Sequence, residues 1–453
     1  MTESHPTPSR ELPESLWDDV SFLGMTGTQF LGAFNDNLFK QVVLLLCIDY
    51  AMQHGTRDYQ PRAQELFALP FVLFSGFAGY LSDRLSKRAI VVCCKVVEIG
   101  IVILGTCALS SGSLVAAFAV LFLLGTHSAF FGPSKFGILP ELVRESNLSA
   151  ANGIFLMTTF VAIILGTVLA GILKGFVHEN IVLVGGAYVA VAACGLATSL
   201  LIRRTPIARP GLEFSSSDLV VSGQTVKMFW RDRPLLMALL MYSVFWLIGG
   251  LTLPAVNALG KFQIYGDLDV KQADAKTSVM TGFLIIGIAV GCAAAGWISG
   301  KKINFRLVPW GCWGMVLGLG MVALLGWLGE IPDGSQSAEI SAEAVEWGSK
   351  LSLVFMGTAA GVFTVPLQVF LQSRPPSDQK GRVIGAMNLV NWLGILFSAR
   401  IYSGFDFLRD LAGAPHSMMF AGAAILLLPV ALLYRPQETA RPAAWEEPLS
   451  VQI

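Results

Sequence analysis

Asp36 and Lys40 stand one helical turn apart in a run, Ser21 to Ile48, that is otherwise apolar enough to cross a bilayer. An acid and a base are expensive to hold there unless they pair or face a wet cavity between helices. At i, i+4 they share a helix face. Two readings follow. Asp36 binds a coupling cation or the amine of a bound molecule, tuned by Asn37 or Lys40, or the two residues form a structural pair that holds this helix to its neighbours. The first is preferred, because charge at mid-membrane marks a pathway. Lys95 and Glu98, at i, i+3, read as a pair supporting a cytoplasmic gate. Lys135 in Gly132-Pro133-Ser134-Lys135 reads equally as a phosphate contact or as a positive anchor. Gln368 with Gln372, and Asn388 with Asn391, are one turn apart and suit either a cavity lining or interhelical hydrogen bonds. His127 reads as a bundle-facing, hydrogen-bonded histidine, and Arg400 as a snorkelling residue or a partner of Asp406.

The elements that carry these residues are set by composition. Of 453 residues, 54% are hydrophobic and 14% charged, where a soluble domain carries roughly a quarter charged residues. A span needs about 20 apolar residues. Twelve such runs occur, at about 21–48, 64–81, 89–110, 114–131, 150–173, 181–202, 235–257, 278–299, 306–328, 350–371, 383–403 and 416–434. The expected fold class is an all-α membrane protein of two six-helix bundles, 21–202 and 235–434, joined by a polar linker at 203–234 and flanked by tails at 1–20 and 435–453. With the N-terminus inside, Lys and Arg in the cytoplasmic segments outnumber those on the opposite side by more than two to one. This sets both termini in the cytoplasm. The polar first 20 residues lack the basic end and short apolar core of a secretory signal.

Zero net charge gives no field for nucleic acid. The seven cysteines lie in or beside apolar runs without metal-ligand spacing and read as buried small apolar residues. No phosphate-binding loop of the G-x-x-x-x-G-K-[ST] type occurs, which argues against ATP drive, and no H-x-x-x-x-D acyltransferase motif is present. No enzyme activity, cofactor or metal is expected from these residues.

The halves echo each other. Gly79-Tyr80-Leu81-Ser82-Asp83-Arg84-Leu85-Ser86-Lys87-Arg88 follows the second run, and Gly296-Trp297-Ile298-Ser299-Gly300-Lys301-Lys302 follows the eighth. Repeated halves of this kind build a central site reached alternately from each side. The first segment resembles the G-x-L-x-D-R-x-x-K/R-R signature of the major facilitator superfamily. In this reading Gly79 lets helices approach, Asp83 caps and pairs across the cytoplasmic face, and Arg84, Lys87 and Arg88 sit at the lipid surface. The second copy has Gly300 where the acid would be.

Three further segments resemble the lysophospholipid transporter branch of that superfamily. They are Gln29 to Asn37, Gly132 to Leu142, and Ala151-Asn152-Gly153 leading into Ala162 to Thr167. Gly361 to Gln368 with Leu371-Gln372 is a weaker fourth. The resemblance implies flipping of a lysophospholipid such as lysophosphatidylethanolamine across a bacterial inner membrane. It also implies a possible coupling cation and a possible separate acyltransferase as partners. A carrier of a small soluble solute or drug is the alternative, and a non-transporting partner of an acyltransferase is the alternative of another class. The seventh run departs from the pattern, since Leu247 to Ala258 holds no basic residue.

Overall fold

The computed structural model describes residues 13–144, 147–177, 180–207, 223–299, 303–330, 341–375 and 380–436. Their elements are α1 (Val20–His54), α2 (Gln60–Arg84), α3 (Lys87–Ser110), α4 (Leu114–Gly137), α5 (Leu139–Leu142), α6 (Leu148–Val177) and α7 (Ile181–Leu200) in the first half of the chain. The second half gives α8 (Gly223–Arg231), α9 (Arg233–Ala258), α10 (Val270–Ser299), α11 (Leu307–Leu328), α12 (Ala342–Ser373), α13 (Lys380–Ala412) and α14 (Met418–Leu433). A π-helical turn, Leu259–Ile264, continues α9.

Eleven of these helices are long and apolar enough to span a membrane, and α14 is a shorter apolar helix of 16 residues. At 1.5 Å per residue α14 reaches about 24 Å, a little less than the hydrocarbon core. Large apolar side chains stand exposed around the bundle, among them Val115, Val182, Trp297, Trp310 and Leu433. On a spanning bundle this is the surface offered to lipid. Cys93, Cys107 and Cys194 are exposed in the same way, against the expectation that all seven cysteines are buried.

Local chemistry fixes the ends of α1. The Asp19 carboxylate accepts from the backbone N–H groups of Ser21 and Phe22, and Gly55 closes the helix at a φ of 60°. Several helices run beyond their apolar cores, because polar residues at a membrane surface lengthen a helix as readily as apolar ones. Helix α1 continues to His54, α6 to Val177 and α13 to Ala412, while α10 starts at Val270. Part of the expected linker is also helical, as α8. Residues 208–222, the second basic turn at 300–302, the start of the first tail and most of the last lie outside the described residues.

Helices α1 to α7 pack together, as do α9 to α14, and the two groups meet mainly where α6 lies against α10 and α2 against α13. Within the second group α10 and α12 touch backbone to backbone. A Cβ on Gly287 or Gly291 would collide with the carbonyls of Val354 and Thr358, and one on Gly357 or Gly361 with those of Leu284 and Ile288. Gly291→Val is therefore expected to destabilise the protein by about 1–3 kcal/mol through overpacking. A thermal unfolding midpoint equal to wild type in detergent would refute that contact.

Candidate functional site

Asp36 sits near the middle of α1 and is only partly buried. Ser128 Oγ on α4 donates to its Oδ2 at 2.6 Å, while Oδ1 has no hydrogen-bond partner. The expected pair with Lys40 does not form. The Lys40 ammonium instead lies 5.3 Å from the centre of the Phe67 ring on α2. Asn37 is tied to its own helix, donating to the Ala33 carbonyl at 2.8 Å. Lys135, partly buried, places its ammonium 5.2 Å from the Phe136 ring centre. Asp36 is thus a mid-helix carboxylate whose buried Oδ1 has no hydrogen-bond partner and to which no cation is bonded. Such a group can receive a cation or an ammonium.

Beside it lies a second polar cluster. Lys95 and Glu98 form an ion pair with both side chains wholly buried. Asn35 Nδ2 donates to Glu98 at 3.5 Å, and His127 Nε2 stands 3.7 Å from the same carboxylate. Gly32 makes room for this pair, since a Cβ there would strike the Lys95 ammonium. Lys95 and Glu98 therefore pack at the level of Gly32 and Asn35, not against the Gly79–Arg88 segment they were expected to support. The physical reason is reach, because eight residues of helix separate Lys95 from Lys87, about 12 Å. His127 faces the bundle as expected, but neither ring nitrogen has a hydrogen-bond partner.

The short turn after α2 also differs from expectation. A Cβ on Gly79 meets nothing within 4 Å, so this glycine marks no close helix approach. Arg84 bonds the Tyr80 hydroxyl one turn back. Lys87 is buried and paired with Glu141 of α5, and Arg88 Nε donates to the Ile202 carbonyl at 2.6 Å. These two cations tie α3 to the segments after α4 and α7, not to the lipid surface. The side chains of Asp83 and Gln372 lie outside the described residues. Gln368 is partly buried, Asn388 exposed, and Asn391 buried with Oδ1 unpartnered.

Sequence reasoning missed the contacts that join the two helix groups. Among the described residues, the polar contacts between them lie toward the face opposite the N-terminus, here the far face. Lys174 of α6 and Lys261 of the π turn each bridge both Asp49 of α1 and Asp274 of α10. Asn257 links Gln41 and Gln60, at 2.8 Å to each. Arg400 pairs with Glu65 across the halves, while Asp406 pairs with Arg409. Phe71 and Trp392 stack at 3.6 Å between α2 and α13. Lys174 and Lys261 lie just past the apolar runs at 150–173 and 235–257, on the longer helices that the structure shows.

Asp58, in the loop after α1, closes the same face. It accepts from Gln60 N and Nε2 at 2.8 and 2.7 Å and from the Tyr402 hydroxyl at 3.4 Å. Burial pushes its carboxyl up to about 6, and nearby Asp406 adds to the rise, while the bonds from Gln60 and Tyr402 oppose it. Arg57, Arg409, Asp410 and His416 line the same small pocket of about 130 Å³. An Asp58 released to water would return toward 3.8. The closed face therefore favours the protonated acid. Its contribution to closure is full below about 4 and is lost as pH rises through about 6. Cysteine cross-linking across this face is expected to fall over that window, and Asp58→Asn to flatten the profile. A wild-type profile without a step would contradict it.

A groove of about 940 Å³ also opens near the far face, lined by Tyr50, Arg62, Glu65, Phe118, Phe397 and Arg400 among others. It includes none of the residues expected to bind substrate.

Residues 64–399 match the Major Facilitator Superfamily. The chain belongs to that superfamily. It is a multi-pass membrane transporter, not an enzyme, as its helices and the family agree. It is 28% identical over 394 residues to "Lysophospholipid transporter LplT" of Enterobacter sp. (strain 638), covering 86% of this chain and 89% of that protein. It is 29% identical over 399 residues to the protein of the same name from Escherichia coli O157:H7, with the same coverage. Among solved structures it is similar in fold to the nucleoside transporter NupG (D323A mutant), with a TM-score of 0.64 at 13% identity, covering 90% of this chain and 99% of that one. It is also similar to a D-xylose-proton symporter, with a TM-score of 0.65 at 14% identity, covering 92% and 98%.

Proposed function

We propose that this transporter moves a lysophospholipid with an ammonium-bearing headgroup, such as lysophosphatidylethanolamine, across the bacterial inner membrane by alternating access. The observation that carries the reading is the free acceptor of Asp36 at mid-span, within a segment shared with the lysophospholipid branch. The carboxylate takes a coupling cation or the substrate's amine, and Lys40 and Lys135 are the nearby cations for its phosphate. The flipped lipid is then left to a separate acyltransferase.

Alternating access draws support from the far-face charge quartet. Each side carries one lysine and one aspartate: Lys174 with Asp49 on α6 and α1, and Lys261 with Asp274 on the π turn and α10. If the halves part, each keeps its own pair, so no buried charge is stranded. A stranded charge would cost several kcal/mol. The contact is thus cheap to break and to remake. The Lys and Arg distribution supports a cytoplasmic N-terminal face.

Purified protein in proteoliposomes is expected to flip labelled lysophosphatidylethanolamine faster than protein-free vesicles. Movement of a soluble solute with no lysolipid movement would transfer the reading to the solute-carrier alternative. No movement of either would favour the non-transporting partner.

A further inference from the structure

Phe67, Phe71 and Trp392 form a continuous aromatic cluster beside Lys40, which follows Asp36 by one turn of α1. Phe67 lies 5.8 Å from Phe71 and 6.1 Å from Trp392, centre to centre, and Phe71 stacks on Trp392. The first two rings belong to α2 and the third to α13, so both helix groups contribute. Lys40 sets its ammonium over the Phe67 ring and makes no ion pair among the described residues. An ammonium over a ring face, carried by a residue one helical turn from an acid, combines the two groups that recognise alkylammonium ions, an aromatic face and a carboxylate.

From this geometry we infer that Phe67, Phe71 and Trp392 wall an ammonium subsite with Asp36 as its counter-charge, and that Lys40 occupies the subsite when no substrate is bound. The inference rests on the lysophospholipid reading and names the headgroup chemistry that the site selects. On arrival, the substrate's ethanolamine or choline displaces Lys40 from the ring. The freed lysine then faces the headgroup phosphate. Because Trp392 belongs to the opposite half, the subsite is complete only while α2 and α13 are closed on each other.

The test compares three labelled lysolipids in the same proteoliposomes: lysophosphatidylethanolamine, lysophosphatidylcholine and lysophosphatidylglycerol, the last without an ammonium. Phe67→Leu and Trp392→Leu are expected to lower flipping of the first two relative to the third by roughly 2- to 30-fold. Phe67→Tyr, which keeps a ring, preserves the wild-type ratio. A uniform fall for all three lipids, or an unchanged ratio, would overturn the subsite, because a merely structural ring affects every headgroup alike. If the wild type flips no lysolipid, the transport reading fails and the subsite is judged by phosphocholine alone. A saturable change in tryptophan emission on adding phosphocholine, kept in Phe67→Tyr and lost in Phe67→Leu, upholds it, and no saturable change, or one that survives in Phe67→Leu, refutes it.

Discussion

Asp36→Asn is expected to lower lysophospholipid flipping by roughly 10- to 150-fold while leaving the protein folded. The magnitude follows from the loss of one charge-assisted contact, about 1.5–3 kcal/mol, to an ammonium or a coupling cation. Folding is spared for a geometric reason. No cation is bonded to Asp36 in this structure, so removing its charge breaks no ion pair. The Ser128 hydroxyl at 2.6 Å still finds a carbonyl oxygen to donate to. Initial flipping rates in proteoliposomes, normalised to the amount of monodisperse protein, check this. Flipping within twofold of wild type would show that Asp36 is a bystander.

Glu98→Gln is expected to have the opposite profile, with stability failing first. Lys95 and Glu98 are 0% exposed, and the pair is packed between α1, α3 and α4. Removing the carboxylate leaves a buried ammonium without its ion-pair partner, beside the Phe131 ring 4.9 Å away. Breaking a buried pair in this way costs about 3–5 kcal/mol. Replacing both partners together, as Lys95→Met with Glu98→Met, strands nothing and is expected to recover most of the loss. Thermal unfolding of the three proteins in the same detergent separates the cases. A single variant as stable as wild type would show that the pair is solvated, and a double variant no better than the single would show that packing around Gly32 decides.

Much of the fold was legible because a bilayer leaves few choices. A run of about 20 apolar residues must be helical there, since every backbone polar group needs an internal partner. The placement of Asp36 at mid-helix was legible for the same reason. Its partner was not. An i, i+4 spacing puts Lys40 on the same face, yet Phe67, far off in sequence on α2, offers the ammonium a ring. The gate segment misled in a similar way. Lys87 and Arg88 read as surface cations by position, but Glu141 and the Ile202 carbonyl turn them inward. The quartet of Asp49, Lys174, Lys261 and Asp274 stayed hidden because it is assembled from four helix ends, each of which extends beyond its apolar run. Contacts between halves depend on tertiary pairing, and no local spacing encodes them.

The central claim is that the α1 carboxylate looks onto a wet path shared by the two halves and meets the substrate there. Asp36→Cys in a background without other cysteines tests it directly, by labelling in proteoliposomes with a membrane-impermeant thiol reagent. The account predicts that the thiol is labelled and that lysophosphatidylethanolamine slows the labelling. A thiol that never reacts from either side of the membrane, or that reacts equally fast with and without the lysolipid, would contradict it.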